Sequence, residues 1–158
     1  MGTVRSSTVA RALVAVLAST ALMACSGPVT VESAPDGASD ACTDVLALLP
    51  GELAGAARRE TGGGAGTAAW GDPAILLRCG EEPVLASTQP CVTVPGEPEG
   101  VDWVVLASGD DGSIVRTFGR DPSVEVEVPA SYGPAPVSVL PELTQAVAVV
   151  PSTAVCTG

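Results

Sequence analysis

The stretch Trp70-Gly71-Asp72-Pro73-Ala74-Ile75-Leu76-Leu77-Arg78-Cys79-Gly80 decides the fold of this chain. Gly-Asp-Pro is typical of a turn, because glycine tolerates positive φ angles and proline presets the φ of a turn residue. The apolar run that follows is short, which favours a buried strand. The stretch therefore predicts a tight turn that leads into a strand of the core.

Four segments further along the chain are also predicted strands. They are residues 91–94, 101–106, 114–118 and 124–128. In the last segment three valines point one way and the glutamates between them point the other way, because successive side chains of a strand alternate between its faces. The turn-forming residues of 108–113 predict a hairpin between the second and third of these strands.

Two or three helices complete the prediction. Residues 43–49 favour a short helix that is capped by Asp40 or Thr43. Residues 51–60 favour a further helical turn or two. Residues 141–149 have apolar residues at helical spacing, although the Val-Ala-Val-Val end also suits a strand. Together these elements predict an α+β fold, a small antiparallel sheet with two or three helices packed on one face.

The beginning of the chain has the pattern of an export signal. Arg5 and Arg11 precede an apolar run, residues 12–23, that is shorter than the roughly 20 residues a membrane-spanning helix needs. The run ends in Leu22-Met23-Ala24-Cys25, which matches the lipobox of bacterial lipoproteins. We therefore expect residues 1–24 to be removed and Cys25 to carry a diacylglyceryl group, with a plain signal peptide as the alternative.

The lipobox divides the chain into three parts and predicts a location. Residues 1–24 are the signal peptide, 25–41 a flexible tether rich in small and turn-forming residues, and 42–158 a single domain. Two or more acyl chains anchor a protein stably to a bilayer. The mature protein is thus expected on the outer face of the bacterial cell membrane, with the membrane as its first partner.

The four cysteines of the domain predict two disulfides. An even number of cysteines in an exported chain is typical of a disulfide framework. Four cysteines allow three pairings, and of these we favour Cys79–Cys91 as a local link and Cys42–Cys156 as a link between the ends of the domain. A metal site is disfavoured, because the cysteines lack paired C-x-x-C spacing.

Composition excludes several classes of function. The chain contains no histidine and no lysine, so Ser-His-Asp, Cys-His and Ser-Lys catalysis are excluded within it. After loss of Arg5 and Arg11, five arginines and eighteen acidic residues leave a net charge of −13. Such a charge argues against binding to nucleic acid and against adhesion of the domain to anionic lipid.

Five residues are candidates for a binding site. Trp70 and Asp72 could hold a sugar, by ring stacking and by hydrogen bonds to hydroxyls, although both equally suit a core residue and a turn. Arg78 lies in an apolar run and needs a carboxylate partner if it is buried, with Asp72 or Asp102 as the candidates. Trp103 follows Asp102 and is the second candidate aromatic residue. No metal site, cofactor or catalytic residue is predicted.

The order of these motifs resembles a known family. The resemblance rests on Cys42 followed by Leu49-Pro50, on Trp70–Pro73 leading into Leu-Arg-Cys-Gly, on Val101-Asp102-Trp103 and on Val-Glu-Val-x-Val-Pro at 124–129. These residues are similar to the short actinobacterial exported proteins grouped as domain of unknown function thirty-five fifteen. The resemblance covers about residues 42–156 and implies a lipoprotein or membrane-tethered protein of the cell envelope, without an established activity.

The sequence is compatible with two functions. The first is a non-enzymatic module that binds an envelope protein or a cell-wall partner. The second is a hydrolase of cell-wall glycans that uses carboxylates alone, which requires an acidic pair at a suitable separation.

Overall fold

One eight-stranded antiparallel sheet forms the centre of the protein. The computed structural model describes residue 2 and residues 27–133 and 138–157, so Cys25 and the predicted signal peptide apart from Gly2 lie outside the described residues. The strands are β1 (Val29–Thr30), β2 (Glu52–Leu53), β3 (Ala56–Arg59), β4 (Thr61–Gly62), β5 (Thr67–Trp70), β6 (Ile75–Glu81), β7 (Cys91–Val94), β8 (Val101–Gly109), β9 (Gly112–Thr117) and β10 (Ser123–Pro129). The helices are α1 (Asp40–Leu48), α2 (Leu140–Val147) and a short 3-10 helix (Ala130–Tyr132).

The sheet consists of two meanders that lie side by side. Its strand order is β2-β3-β5-β6-β10-β9-β8-β7, and every neighbouring pair is antiparallel. The first four strands form one meander and the last four the other. The pairing of β6 with β10 joins them, so the strand of the opening stretch lies near the middle of the sheet. The connection from β6 to β7, residues 82–90, therefore passes from the middle of the sheet to its far edge.

The core lies between the sheet and the two α-helices. The valines of β10, both tryptophans and the inward residues of β6 are buried together with apolar residues of α1 and α2. The predicted alternation in β10 is confirmed, because Val124, Val126 and Val128 belong to this core. The predicted α+β class, antiparallel sheet and helix-covered face are thus confirmed, with two α-helices.

Local signals explain where the two helices begin. Ser39 caps α1, its hydroxyl accepting a hydrogen bond from the Cys42 amide at 3.3 Å, so the predicted caps Asp40 and Thr43 were wrong by one and four positions. Pro141 occupies the first turn of α2, where its missing N–H costs no hydrogen bond. The strand alternative for this segment is wrong, since Leu143 and Val147 face the core at helical spacing.

The predicted helix over residues 51–60 is wrong. Ala54 and Gly55 have φ angles of 51° and 75°, which no right-handed helix accommodates. Two successive residues with positive φ instead reverse the chain as a tight hairpin turn, and β2 pairs with β3 across it.

The N-terminal segment contacts the domain earlier than predicted. β1 pairs in parallel with β4, and Val31 and Ala34 are buried. The predicted tether of residues 25–41 therefore packs against the domain from Val29 onward. Gly37 shows why a small residue is needed here, because a Cβ at this position would lie 2.6 Å from the Ala65 carbonyl oxygen.

Both disulfides form, with a pairing other than the predicted one. Cys42 pairs with Cys79, whose Cα atoms lie 5.5 Å apart, and Cys91 pairs with Cys156 at 6.4 Å. Cys42 is in the first turn of α1 and faces Cys79 in β6. Cys79 and Cys91 are close in sequence but lie on strands that are four places apart in the sheet, with β10, β9 and β8 between them.

Candidate functional site

The face of the sheet turned away from the helices carries the charged residues of the central strands. We call it the outer face. One row of residues crosses it from strand to strand, and each member lies opposite the next in the β-ladder. The row is Thr67, Arg78, Glu125, Arg116, Val104 and Cys91. A glutamate thus lies between two arginines at the middle of the sheet, where opposite charges on facing strands stabilise the pairing.

Glu125 is the centre of a four-residue ion-pair network, which we call the charged ladder. One of its carboxylate oxygens accepts from Arg78 Nη2. The other accepts from Arg116 Nε at 3.0 Å and from Arg116 Nη2. Glu81 completes the ladder, with one oxygen 3.6 Å from Arg78 Nε and the other 3.3 Å from Arg116 Nη2. Two glutamates and two arginines from β6, β9 and β10 therefore neutralise one another.

The ladder is more buried at its centre than at its rim. The Glu125 side chain is 5% exposed, whereas that of Arg78 is 34% exposed. Partial burial of Arg78 acts to lower its pKa, but the hydrogen bond and charge of Glu125 outweigh it, helped by Glu81 and Glu127. The pKa of Arg78 is consequently raised, so its guanidinium stays charged across the ordinary pH range.

A groove opens on the outer face at the β7–β8 edge. We call it the edge groove. It has a volume of about 650 Å³ and lies between loop 85–90 and the C-terminal segment 154–157, with Val104 and Phe118 among its lining residues. Leu85 and Val155, one on each side, are 58% and 68% exposed. The groove thus has a concave shape and a mixed lining, in which apolar side chains stand beside the polar Ser87, Thr88 and Gln89.

The Cys91–Cys156 disulfide holds the C-terminal wall of the edge groove. It ties the C-terminal segment to β7, and the Cys156 amide donates to Asp102 Oδ2 at 2.8 Å. Thr153 adds a hydrogen bond from its amide to the Gly119 carbonyl at 2.6 Å. The wall is therefore held at both of its ends.

Arg120 is a fully buried cation that connects three segments. Its Nη2 donates to Glu99 Oε1 at 2.9 Å and to the Gly100 carbonyl at 3.0 Å, and its Nη1 donates to the Val150 carbonyl. These contacts join the β9–β10 turn to the β7–β8 loop and to the residues that directly follow α2. A guanidinium offers donors on separate nitrogens in a fixed fork, whereas a lysine would bring a single nitrogen to these acceptors.

Two of the predicted binding residues belong to the core. Trp70 and Trp103 are both fully buried. Trp70 Nε1 donates to the Pro50 carbonyl at 3.0 Å, and the Arg58 guanidinium lies 5.8 Å from the centroid of its ring. Neither ring face is open to a sugar. Asp72 is exposed in the turn before β6, so it and Trp70 do not form the hypothesised sugar-facing pair.

The other predicted binding residues have structural partners. Asp102 accepts from Thr93 Oγ1 at 2.6 Å and from the Cys156 amide. Arg78 was expected to pair with Asp72 or Asp102, but its partners are Glu125 and Glu81. The prediction of a carboxylate partner for Arg78 holds, and the identity of that partner was wrong.

Little in the sequence indicated the charged ladder. Glu125 was placed on the polar side of its strand by alternation, and Arg116 lay within a predicted strand. One signal could have suggested the pairing. Two apolar strands each contain an arginine and a third contains glutamate, and buried charges need partners. Arg120 left no such signal, because it lies in a turn, where an arginine is usually exposed.

The described residues were compared with the requirements of a metal site and of a membrane-spanning helix. Within residues 27–133 and 138–157, no cluster of three or more histidine, cysteine or acidic side chains is arranged to hold a metal ion. In the same residues no helix is both long and apolar enough to cross a bilayer.

A comparison with protein families identifies the family of this chain. Residues 7–154 match the family described as "Protein of unknown function (DUF3515)". The match covers nearly the whole chain, so this protein belongs to that family. No curated protein and no solved structure matches it.

Proposed function

We propose that this protein is a lipid-anchored component of the bacterial cell envelope and acts as a non-enzymatic binding module. The lipobox at Leu22–Cys25 supports the anchor, and the two disulfides fit an oxidising compartment outside the cytoplasm. The resemblance to actinobacterial exported proteins supports the same location. The domain is then held at the outer face of the membrane, within reach of envelope proteins and of the cell wall.

The set of partners around Glu125 is the observation that favours binding over catalysis. A carboxylate that acts on a substrate must have an oxygen free to contact it. Glu125 accepts three hydrogen bonds from two arginines, and Glu81 contacts the same two guanidinium groups. The charged ladder therefore uses its carboxylates to hold three strands together.

One observation still favours the hydrolase as the second candidate. Glu81 and Glu125 both contact Nη2 of Arg116, so their carboxylates lie close together on the outer face. Glycosidases that act through two carboxylates need such a pair. An activity of this kind would require one of the two glutamates to leave its arginine partners and take up a proton.

The anchor is tested by mass spectrometry of the mature N-terminal peptide. We expect a peptide that begins at diacylated Cys25, and we expect the Cys25→Ser variant to leave the membrane fraction. An unmodified Cys25, or cleavage at another position, would refute the anchor.

Binding and hydrolysis are separated by an assay of turnover. Purified protein is incubated with cell-wall glycan, and in-cell crosslinking of the anchored protein identifies its neighbours. We expect a reproducible crosslinked partner and no release of sugar. Sugar release by the wild type that is lost in Glu125→Gln, with the fold of the variant intact, would replace the proposal by the hydrolase.

A further inference from the structure

The chain enters the domain at one defined corner of the sheet. The Gly27 carbonyl accepts a hydrogen bond from Arg59 Nη2 at 3.0 Å, and the Val29 amide donates to the Glu60 carbonyl at 2.8 Å. Gly27 is the second residue after Cys25, and two residues span about 7 Å at most. A lipid on Cys25 therefore places the Arg59 guanidinium within roughly one Debye length of the bilayer surface.

The same corner holds two arginines, Arg58 and Arg59. The five basic residues that follow the predicted signal are all arginines. Three of them, at positions 78, 116 and 120, form salt bridges with glutamates. Across the part of the chain that the structure describes, Arg58 and Arg59 form no salt bridge with a carboxylate.

The partners of Arg58 and Arg59 leave their charges uncompensated. Arg59 Nη1 donates to the Gly71 carbonyl at 3.0 Å, and its Nη2 donates to the Gly27 carbonyl, both of which are neutral acceptors. Arg58 is exposed and lies over the ring of Trp70. Each guanidinium has five N–H donors, so donors of both remain free for an oxyanion.

The corner also has a surface that suits phospholipid headgroups. A shallow depression of about 390 Å³ is lined by Arg58 and Arg59 together with Thr61 and Thr67. Glu60 lines it too, and leaves the triplet 58–60 with a charge of +1 in a domain that is otherwise strongly acidic. The Thr67 hydroxyl donates to the Gly64 carbonyl and pairs with the Thr61 hydroxyl, so the free donors of the depression are those of the two guanidinium groups, which phosphate oxygens accept.

From these observations we infer that the corner formed by Arg58, Arg59, Thr61 and Thr67 is the surface by which the anchored domain rests on anionic phospholipid headgroups. The inference rests on the proposed lipid anchor. The acidic charge of the domain predicts repulsion from anionic lipid, and this repulsion acts together with the local attraction of the corner. The tether removes most of the entropic cost of contact, the free cations attract the corner, and the remaining acidic surface is repelled.

This orientation points the edge groove away from the membrane. β3 and β7 are six places apart in the sheet, which at the usual strand spacing is about 29 Å. The headgroup corner and the edge groove thus lie at opposite edges of the domain.

The test is a footprint of the arginines in the full lipidated protein on vesicles. Vesicles contain phosphatidylcholine alone or phosphatidylcholine with phosphatidylglycerol, and phenylglyoxal modification of each arginine is followed by mass spectrometry. Each arginine near an anionic surface favours contact about fivefold, and the pair about 25-fold. We expect Arg58 and Arg59 to react at least fivefold more slowly on the anionic vesicles, and expect 1 M salt to abolish the difference.

Two variants show whether the effect belongs to this corner. Arg59→Gln should reduce the protection of Arg58 several-fold. The matched control, Ser87→Glu with Thr88→Glu, makes the net charge more negative at the far edge of the sheet and should leave the protection of Arg58 and Arg59 unchanged. If the control removes the protection as fully as Arg59→Gln does, net charge and not the corner governs the contact, and the inference is wrong.

Other outcomes distinguish the anchor from the orientation. A protein that does not float with phosphatidylcholine vesicles refutes the lipid anchor, and the orientation with it. A protein that floats, but whose Arg58 and Arg59 react equally on both kinds of vesicle, refutes the orientation alone. If free inorganic phosphate protects both arginines on phosphatidylcholine vesicles as well as phosphatidylglycerol does, the corner is a phosphate site and not a membrane-facing surface.

Discussion

Replacing Glu125 by glutamine tests whether the charged ladder holds the sheet together. The substitution keeps the size of the side chain and removes its charge. It leaves Arg78 and Arg116 facing a neutral group that can accept from only one side of the amide. Both arginines would then keep Glu81 as their remaining carboxylate partner.

The magnitude follows from the burial of the ladder. Breaking a fully buried ion pair costs about 3–5 kcal/mol, and an exposed pair contributes about 0–1 kcal/mol. Glu125 is at the buried limit, but Arg78 is one-third exposed and is hydrated once its partner is lost. We therefore expect the free energy of unfolding to fall by about 2–3 kcal/mol. For a domain of this size the melting temperature then falls by about 6–12 °C.

The assay is equilibrium unfolding in urea, followed by circular dichroism with both disulfides intact. Glu127→Gln is the matched control, since Glu127 is on the same strand and the same face but is exposed. It removes the same charge and should change the free energy of unfolding by less than about 0.5 kcal/mol, as exposed substitutions usually do. If Glu125→Gln is no less stable than Glu127→Gln, the ladder does not stabilise the sheet and the reasoning fails.

Three further predictions concern the disulfides, Arg120 and the tail. Non-reducing peptide mapping should yield the linked peptides Cys42–Cys79 and Cys91–Cys156, and a Cys79–Cys91 peptide would contradict the structure. Removal of Cys91–Cys156 by paired alanine substitutions should lower the free energy of unfolding by about 4 kcal/mol, because the bond closes a loop of 65 residues. A loss below about 1 kcal/mol in urea unfolding would show that the tail is held by other contacts. Arg120→Met should lower the free energy of unfolding by about 2–4 kcal/mol in the same assay, because it leaves buried carbonyls without donors. Arg120→Lys should recover less than half of that loss. Stability equal to the wild type in either variant would contradict the bridging role.

Part of the fold could be predicted because its signals are local. The alternation of 124–128 placed its valines in the core and its glutamates on the other face, and the turn residues of 108–113 placed a hairpin. Both depend on neighbours within a few residues of one another, where strand geometry allows few alternatives. The same locality explains the failure at 51–60, since the reversal there depends on a positive φ at Ala54, a residue type that rarely adopts it.

The candidate site could be predicted only in part, because its members come from distant parts of the chain. Arg78 and Glu125 are separated by 47 positions and meet only because β10 inserts between β6 and β9. Trp70 was singled out for its ring, yet its place beneath Arg58 and beside Pro50 closes that ring to any ligand.

The sequence by itself determined the chemistry that the protein has at its disposal: no histidine, no lysine, four cysteines to pair, an acidic domain and the lipobox pattern of Leu22–Cys25. The tertiary structure decided which of these groups meet. It paired Cys42 with Cys79, neutralised three arginines with glutamates and, within the described residues, left Arg58 and Arg59 without a carboxylate partner at the corner where the chain enters. The reason is physical, because composition and local spacing limit the available side chains, whereas the pairing of strands that are distant in sequence sets the distances between them.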